Sequence, residues 1–300
     1  MELKDILVCL DPTNAGKSRL RLAAGLASDH RAHLSAAYVL PEQIAGATGY
    51  DGLGFHAPAG SAAVAEGSLV AGIPAPAAPP AAKGDYARQI ELTDIIKQRF
   101  RETVPPQAIA GDWYLFGGGE SEDLITLARA ADLVIYGQGS PEYRLPTGFD
   151  PEDVIMASGR PVLVVPYAGK FATLGRRVLV AWDGSREAAR AAHDALPLIE
   201  KAELVTLMTV SDSEAGFERG RPMLQRMLRN LERHGIPART EEALRGDLSV
   251  SDALLSRAAD FAADLIVAGA YHHSQLRESL FGGVTRDLLE RMTVPVLMSR

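Results

Sequence analysis

The residues whose types and spacing could do chemistry lie near the end of the sequence. An apolar run at residues 265–268 ends at Gly269, a polar loop leads to the pair Gly282 and Gly283, and a helical pattern follows. This order of parts brings a loop and a helix N-terminus to the carboxyl edge of a parallel sheet, where an anion can bind. The pattern therefore predicts a phosphate site, although a helix C-cap followed by a tight turn would use the same glycines.

Size, charge and cysteine content limit the classes of function. The 300 residues are enough for one large or two ordinary domains. A net charge of −7 argues against nucleic acid or an anionic membrane as a partner, because both bind basic surfaces. No run approaches ~20 consecutive apolar residues, so we expect no membrane span. The single cysteine, Cys9, lies in a strand-like start without a leader pattern, which favours a cytoplasmic protein and a small core thiol.

Apolar runs alternate with helical patterns along the chain, which predicts an α/β fold with doubly wound parallel sheets. In the first half the predicted strands are residues 4–10, 33–40, 113–116, 132–136 and 161–166. Residues 42–84 interrupt the alternation, because they are rich in glycine, alanine and proline and hold few large apolar side chains. We interpret them as a long, partly mobile insertion.

The second half of the sequence repeats the first. An aspartate closes the first strand of each half, Asp11 and Asp183, and the later strands match in order. The repeat predicts two tandem five-stranded domains, at residues 1–168 and 175–300. For the second domain the predicted strands are residues 176–182, 203–210, 238–244, 264–269 and 294–299, and the predicted helices are 186–198, 217–234, 250–262 and 284–292.

The duplicated unit resembles the universal stress protein family. The resemblance is carried by the strand-closing aspartate, by Gly269, and by the stretch from Gly282 through Gly283 and Val284 to Thr285. It covers the chain except for the insertion, and it implies Rossmann-like domains of the adenine-nucleotide-binding type. In nucleotide-binding members the motif is glycine, two residues, glycine, nine residues, glycine, then serine or threonine. Here the first and third positions match.

The resemblance implies a site for ATP or AMP in the second domain, and a Mg²⁺ ion could accompany ATP. The implied binding residues are Asp183, Val210, Gly269, His272, Gly282, Gly283, Val284 and Thr285. Asp183 would accept a hydrogen bond from the ribose, Val210 would meet the adenine, and Thr285 would donate to a phosphate. Two positions depart from the motif, because His272 replaces a glycine and Gly283 replaces a hydroxyl residue.

The first domain is predicted to be degenerate as a nucleotide site. Gly148 is followed within five residues by Asp150, Glu152 and Asp153. These carboxylates would repel phosphates.

Other motifs point to chemistry more weakly. Residues 11–18 end in Gly-Lys-Ser as a P-loop does, yet Asp11 stands where a P-loop needs glycine. His272 and His273 could chelate a metal, but further ligands are not evident. No catalytic residue is predicted, since no nucleophile with its base stands out.

Three functions remain open from the sequence. The first is a regulatory stress-response protein whose nucleotide occupancy is sensed by a protein partner; the second is an interaction module without a ligand; the third is a weak ATPase. The resemblance also implies that the domains pair through their last strands, Val162–Val165 and Val296–Ser299, as an internal pseudo-dimer. Two chains could associate further as a homodimer.

Overall fold

A computed structural model describes residues 2–40, 57–58, 81–104, 109–117, 121–139, 150–171, 173–270 and 283–300 of the chain. We call the parts before and after the linker at residues 167–175 the first and second domains. Most of the predicted insertion lies outside the described residues. The described parts of the insertion are a two-residue strand and the start of a helix. We predicted no regular structure at the strand.

The first domain contains β1 (Asp5–Cys9), α1 (Asn14–His30), β2 (His33–Val39), β3 (Ala57–Pro58), α2 (Ala81–Thr103), β4 (Gly111–Phe116), α3 (Ser121–Ala130), β5 (Leu133–Gly137), α4 (Pro151–Ser158) and β6 (Val162–Val165). The second contains β7 (Arg177–Ala181), α5 (Arg186–Asp194), α6 (Leu196–Ile199), β8 (Leu204–Ser211), α7 (Glu214–Arg233), β9 (Ala238–Leu244), α8 (Val250–Asp260), β10 (Leu265–Gly269), α9 (Gly283–Arg291) and β11 (Val296–Ser299).

All the strands in the described residues join one 11-stranded sheet, in the order β3-β4-β2-β1-β5-β6-β11-β10-β7-β8-β9. Within each domain the five long strands run parallel. The domains meet where β6 and β11 pair antiparallel, with Leu163 opposite Leu297. This is the pairing of last strands that we expected, and it gives each of these strands a partner on both sides.

Helices cover both faces of the sheet, which confirms the doubly wound α/β fold. One face packs apolar side chains of α1, α2, α5, α6 and α7 against the strands, and the other packs those of α3, α4, α8 and α9. Because the central strands are covered on both faces, their residues are apolar in near-continuous runs. Among the described residues, no helix is both long and apolar enough to cross a membrane.

The helix that we predicted at residues 186–198 is in fact broken at Ala195. Ala195 ends α5 and begins the short α6, whose first turn contains Pro197. Proline lacks the backbone N–H of a continuing helix, and its ring collides with the preceding turn, so the chain restarts there. Helix α7 begins at Glu214, three residues before the predicted start at 217, because Ser213 caps it through a hydrogen bond from the Gly216 N–H.

Candidate functional site

A cavity of about 110 Å³ opens at the carboxyl ends of β7, β8 and β10, beside the start of α9. Its lining includes Asp183, Val210, Gly269, Val284 and Thr285. The family resemblance implies that these residues bind one ligand, although they come from separate strands and a helix. The structure brings them together because parallel strands end at the same edge of the sheet.

The inner wall of the cavity is apolar. It is formed by Met208, Leu254, Leu288 and Met298, each at most 2% exposed. Polar groups lie at the mouth, where Asp183 and Ser185 follow β7. A flat apolar group with a polar edge therefore fits this cavity better than a fully charged one.

Asp183 is exposed and its carboxylate is accessible. Its Oδ1 atom accepts a hydrogen bond of 2.9 Å from the Ser185 backbone N–H, and Ser185 in turn caps α5 through the Ala188 N–H. Within the described part of the chain, the Ser185 N–H is the only hydrogen-bond donor to the Asp183 side chain. The second carboxylate oxygen therefore has capacity to accept from a ligand hydroxyl.

Gly269 is needed for close packing of α5. A Cβ atom there would lie 2.5 Å from the Ala188 nitrogen and 2.6 Å from the Glu187 carbonyl carbon. The resemblance implies that Gly269 binds the nucleotide. The structure shows a further requirement for glycine at this position, because the first turn of α5 crosses directly over it.

The start of α9 supplies the other side of the cavity. Thr285 is 5% exposed and has hydrogen-bonding or electrostatic partners, whereas Val284 is 43% exposed. Gly283 begins the helix but does not line the cavity, and a Cβ atom there would meet no described atom within 4 Å. His272, His273 and Gly282 lie outside the described residues.

The corresponding place in the first domain is filled by Arg19. Its guanidinium donates to the Asp11 carboxylate at 2.5 Å and to the Cys9 carbonyl at 2.8 Å. Both charged side chains are at most 4% exposed. A Cβ at Gly137, the counterpart of Gly269, would collide with the Arg19 Nη1 atom. This side chain therefore closes the first-domain site.

The buried ion pair keeps Asp11 charged. Burial alone would raise the pKa of this carboxyl, but the charge of Arg19 and hydrogen bonds from Thr13 and Arg19 outweigh it, so the pKa lies below its ordinary value. Thr13 also caps α1 by accepting from the Gly16 N–H at 3.1 Å. The P-loop-like stretch thus caps a helix, and its carboxylate is bound to Arg19.

The nearby Cys9 thiol is not activated. Burial raises its pKa to about 12, which makes it a poor nucleophile.

The carboxylates that the sequence predicts to repel phosphates in the first domain are Asp150, Glu152 and Asp153. They lie at the start of α4, the counterpart of α9, where the Asp150 N–H donates to Asp153 Oδ2 at 2.9 Å. Gly148 itself lies outside the described residues. The repeat contained a signal that could have identified Arg19, since the second domain has Ala191 at the matching position.

Comparisons with known proteins agree with this architecture. The model of the universal stress protein family matches residues 175–300. A universal stress protein from Archaeoglobus fulgidus is structurally similar, with 15% sequence identity, a TM-score of 0.66, and coverage of 99% of this chain and 96% of that chain. A protein of unknown function from Pseudomonas aeruginosa is similar with 14% identity, a TM-score of 0.57, and coverage of 99% and 92%. No curated protein sequence matches the chain.

Proposed function

Because residues 175–300 make this chain a member of the universal stress protein family, we propose that its second domain binds an adenine nucleotide, ATP or AMP. The observation that carries the proposal is the single cavity in which Asp183, Val210, Gly269, Val284 and Thr285 meet. The matching place in the first domain is filled by Arg19, so we propose one nucleotide per chain.

The lining of the cavity suits the adenine and the ribose of a nucleotide. The apolar wall of Met208, Val210 and Met298 would hold the adenine, and Asp183 would accept from a ribose hydroxyl. The phosphates would lie toward the start of α9, where backbone N–H groups without helical partners and the helix dipole favour negative charge. A Mg²⁺ ion would enter with ATP. The described residues contain no cluster of three or more candidate metal ligands, so its binding would depend on the phosphates.

We propose binding rather than hydrolysis as the activity. Asp183 is the one ionisable side chain among the described lining residues, and it lies at the end proposed for the ribose. A water attacking the terminal phosphate would need a base at the opposite end. The proposed role is therefore regulatory, in the cytoplasm, with nucleotide occupancy recognised by a protein partner.

Calorimetric titration of the full chain with ATP and with AMP tests this proposal. We expect one site per chain, and we expect Asp183→Asn to weaken binding by about tenfold or more, because it removes a charged acceptor but keeps an oxygen for Ser185. Asp260→Asn is the matched control, since Asp260 is exposed on α8 and pairs with Arg257.

The outcome that would overturn nucleotide binding is an absence of heat at millimolar ATP and AMP, both in the wild type and in His272→Gly. The second variant restores the glycine that the motif has at this position. ATP hydrolysis above that of an Asp183→Ala control would instead revive the ATPase hypothesis.

A further inference from the structure

Gln138 of the first domain reaches into the second domain. It follows β5 and is 8% exposed, and its backbone N–H donates to the Val165 carbonyl at 2.9 Å. Its side-chain Nε2 donates to the carbonyls of Leu289 at 2.8 Å and Glu290 at 3.0 Å. Its Oε1 accepts from the backbone N–H of Tyr167, at the start of the linker, at 3.2 Å.

These contacts define the orientation of the Gln138 amide. Two carbonyls face one end of it and an N–H faces the other, so only one assignment of oxygen and nitrogen satisfies all three groups. Both amide protons are used. The Gln138 side chain thus links the first domain, the linker and the second domain through three hydrogen bonds.

The two carbonyls that Gln138 binds belong to the last turn of α9. Carbonyls in the last turn of a helix have no partner within the helix and must be satisfied from outside. Gln138 supplies that partner from another domain, in a buried place where an unsatisfied carbonyl would be costly. It therefore anchors the C-terminal end of α9.

The opposite end of the same helix forms part of the cavity. Helix α9 has 9 residues, and Val284, Thr285 and Leu288 line the cavity. At a rise of about 1.5 Å per residue, the anchor and the cavity lie within roughly 14 Å of each other along one stiff element. A shift of the anchored end would move Val284 and Thr285 as well.

We propose that Gln138 is a positioning residue for the nucleotide site, acting through α9, so that the first domain completes a site it does not itself line. This inference rests on the proposed nucleotide function of the second domain. It also gives the first domain, whose own site is closed by Arg19, a role in binding.

Among the described residues, the second domain offers the first no matching side-chain amide. The residue that matches Gln138 is Ala270, which is fully buried and has only a methyl side chain. Helix α4 of the first domain instead receives a contact of 3.3 Å from the Arg190 guanidinium to the Gly159 carbonyl, at the surface. Helix α9 thus has the buried anchor, and it is the helix beside the open cavity.

The test is Gln138→Met in the full chain, which keeps a similar volume but removes both donors. Hydrogen exchange of the α9 amides, measured without nucleotide, is expected to become about tenfold faster, because the helix loses its anchor. ATP affinity, measured by calorimetry, is expected to fall about fivefold to tenfold, with the stoichiometry unchanged. Gln98→Met is the matched control, since the Gln98 amide donates to Glu102 on the same helix of the first domain, and it should change neither quantity.

A purely structural role would predict a lower melting temperature with ATP affinity retained, so unchanged affinity in Gln138→Met would overturn the proposal. Unchanged exchange in α9 would overturn it as well, and that measurement does not depend on nucleotide. A wild type that binds no ATP would instead overturn the proposed function. If Gln138→Met does not fold, Gln138→Asn, whose amide is one methylene too short to reach α9, is expected to give the same changes.

Discussion

Arg19 and Asp11 form a buried ion pair in the first domain, at the place where the second domain has Ala191 and an exposed Asp183. The same strand-closing aspartate therefore has two roles in one chain. In the first domain its carboxylate binds an internal guanidinium, and in the second it lies at the mouth of a cavity. The residue at this helix position, Arg19 in one domain and Ala191 in the other, therefore decides whether the aspartate has a buried charged partner.

Arg19→Met is expected to destabilise the protein by about 3–5 kcal/mol at pH 7, because it leaves the Asp11 charge buried without a partner. Urea unfolding followed by tryptophan fluorescence measures this change. Arg21→Met is the control, since Arg21 is exposed on the same helix and its replacement should change stability by less than about 0.5 kcal/mol. Equal stability of the two variants would contradict the role assigned to the pair.

The loss caused by Arg19→Met should also depend on pH. In the wild type the pKa of Asp11 is depressed, so the stability from its charged form is present at neutral pH and is lost only as pH falls through that low value. Without Arg19, burial would raise the pKa of Asp11 above its ordinary value, and protonation at mildly acid pH would relieve the buried charge. The difference in unfolding free energy between wild type and variant should therefore shrink from pH 7 to pH 4; a constant difference would exclude this explanation.

The fold was predictable because its signals are local. Strands covered on both faces are apolar along their whole length, and Asp11, Asp183 and Gly269 mark their ends. The strands could therefore be located from the sequence, and the repetition of their pattern indicated two domains. The break at Ala195 was missed because the apolar pattern continues across it, although Pro197 was a visible reason for a new start.

Five of the cavity residues were named from the sequence through the resemblance to the universal stress protein family: Asp183, Val210, Gly269, Val284 and Thr285. Arg19 and Gln138 were not, because an arginine on a helix and a glutamine after a strand usually face solvent. Their burial depends on elements distant in sequence. Gly137 of β5 must approach α1 to enclose Arg19, and α9 must end beside β5 for Gln138 to reach it.

Gly269→Ala is expected to destabilise the second domain by about 1–3 kcal/mol, because the new methyl group would force the first turn of α5 away from β10. The turn that holds Asp183 would move with it, so ATP affinity should fall too. Thermal unfolding and calorimetry measure the two effects. Gly25→Ala is the control: Gly25 lies in α1 with open space at its Cβ position, and alanine there should stabilise by about 0.5–1 kcal/mol. Unchanged stability and ATP affinity in Gly269→Ala would contradict this prediction and would show that α5 can shift to accommodate the methyl group.

Gly283→Ser is expected to tighten nucleotide binding. The position begins α9, a Cβ atom there meets no described atom within 4 Å, and serine restores the hydroxyl that the motif of nucleotide-binding relatives has. One added hydrogen bond to a charged phosphate predicts an affinity about threefold to thirtyfold higher, with little change in melting temperature. Gly220→Ser on α7 is the control, because that glycine also has open space and lies away from the cavity. Calorimetry with ATP compares the two variants, and an affinity for Gly283→Ser at or below that of the wild type would place the phosphates away from the start of α9.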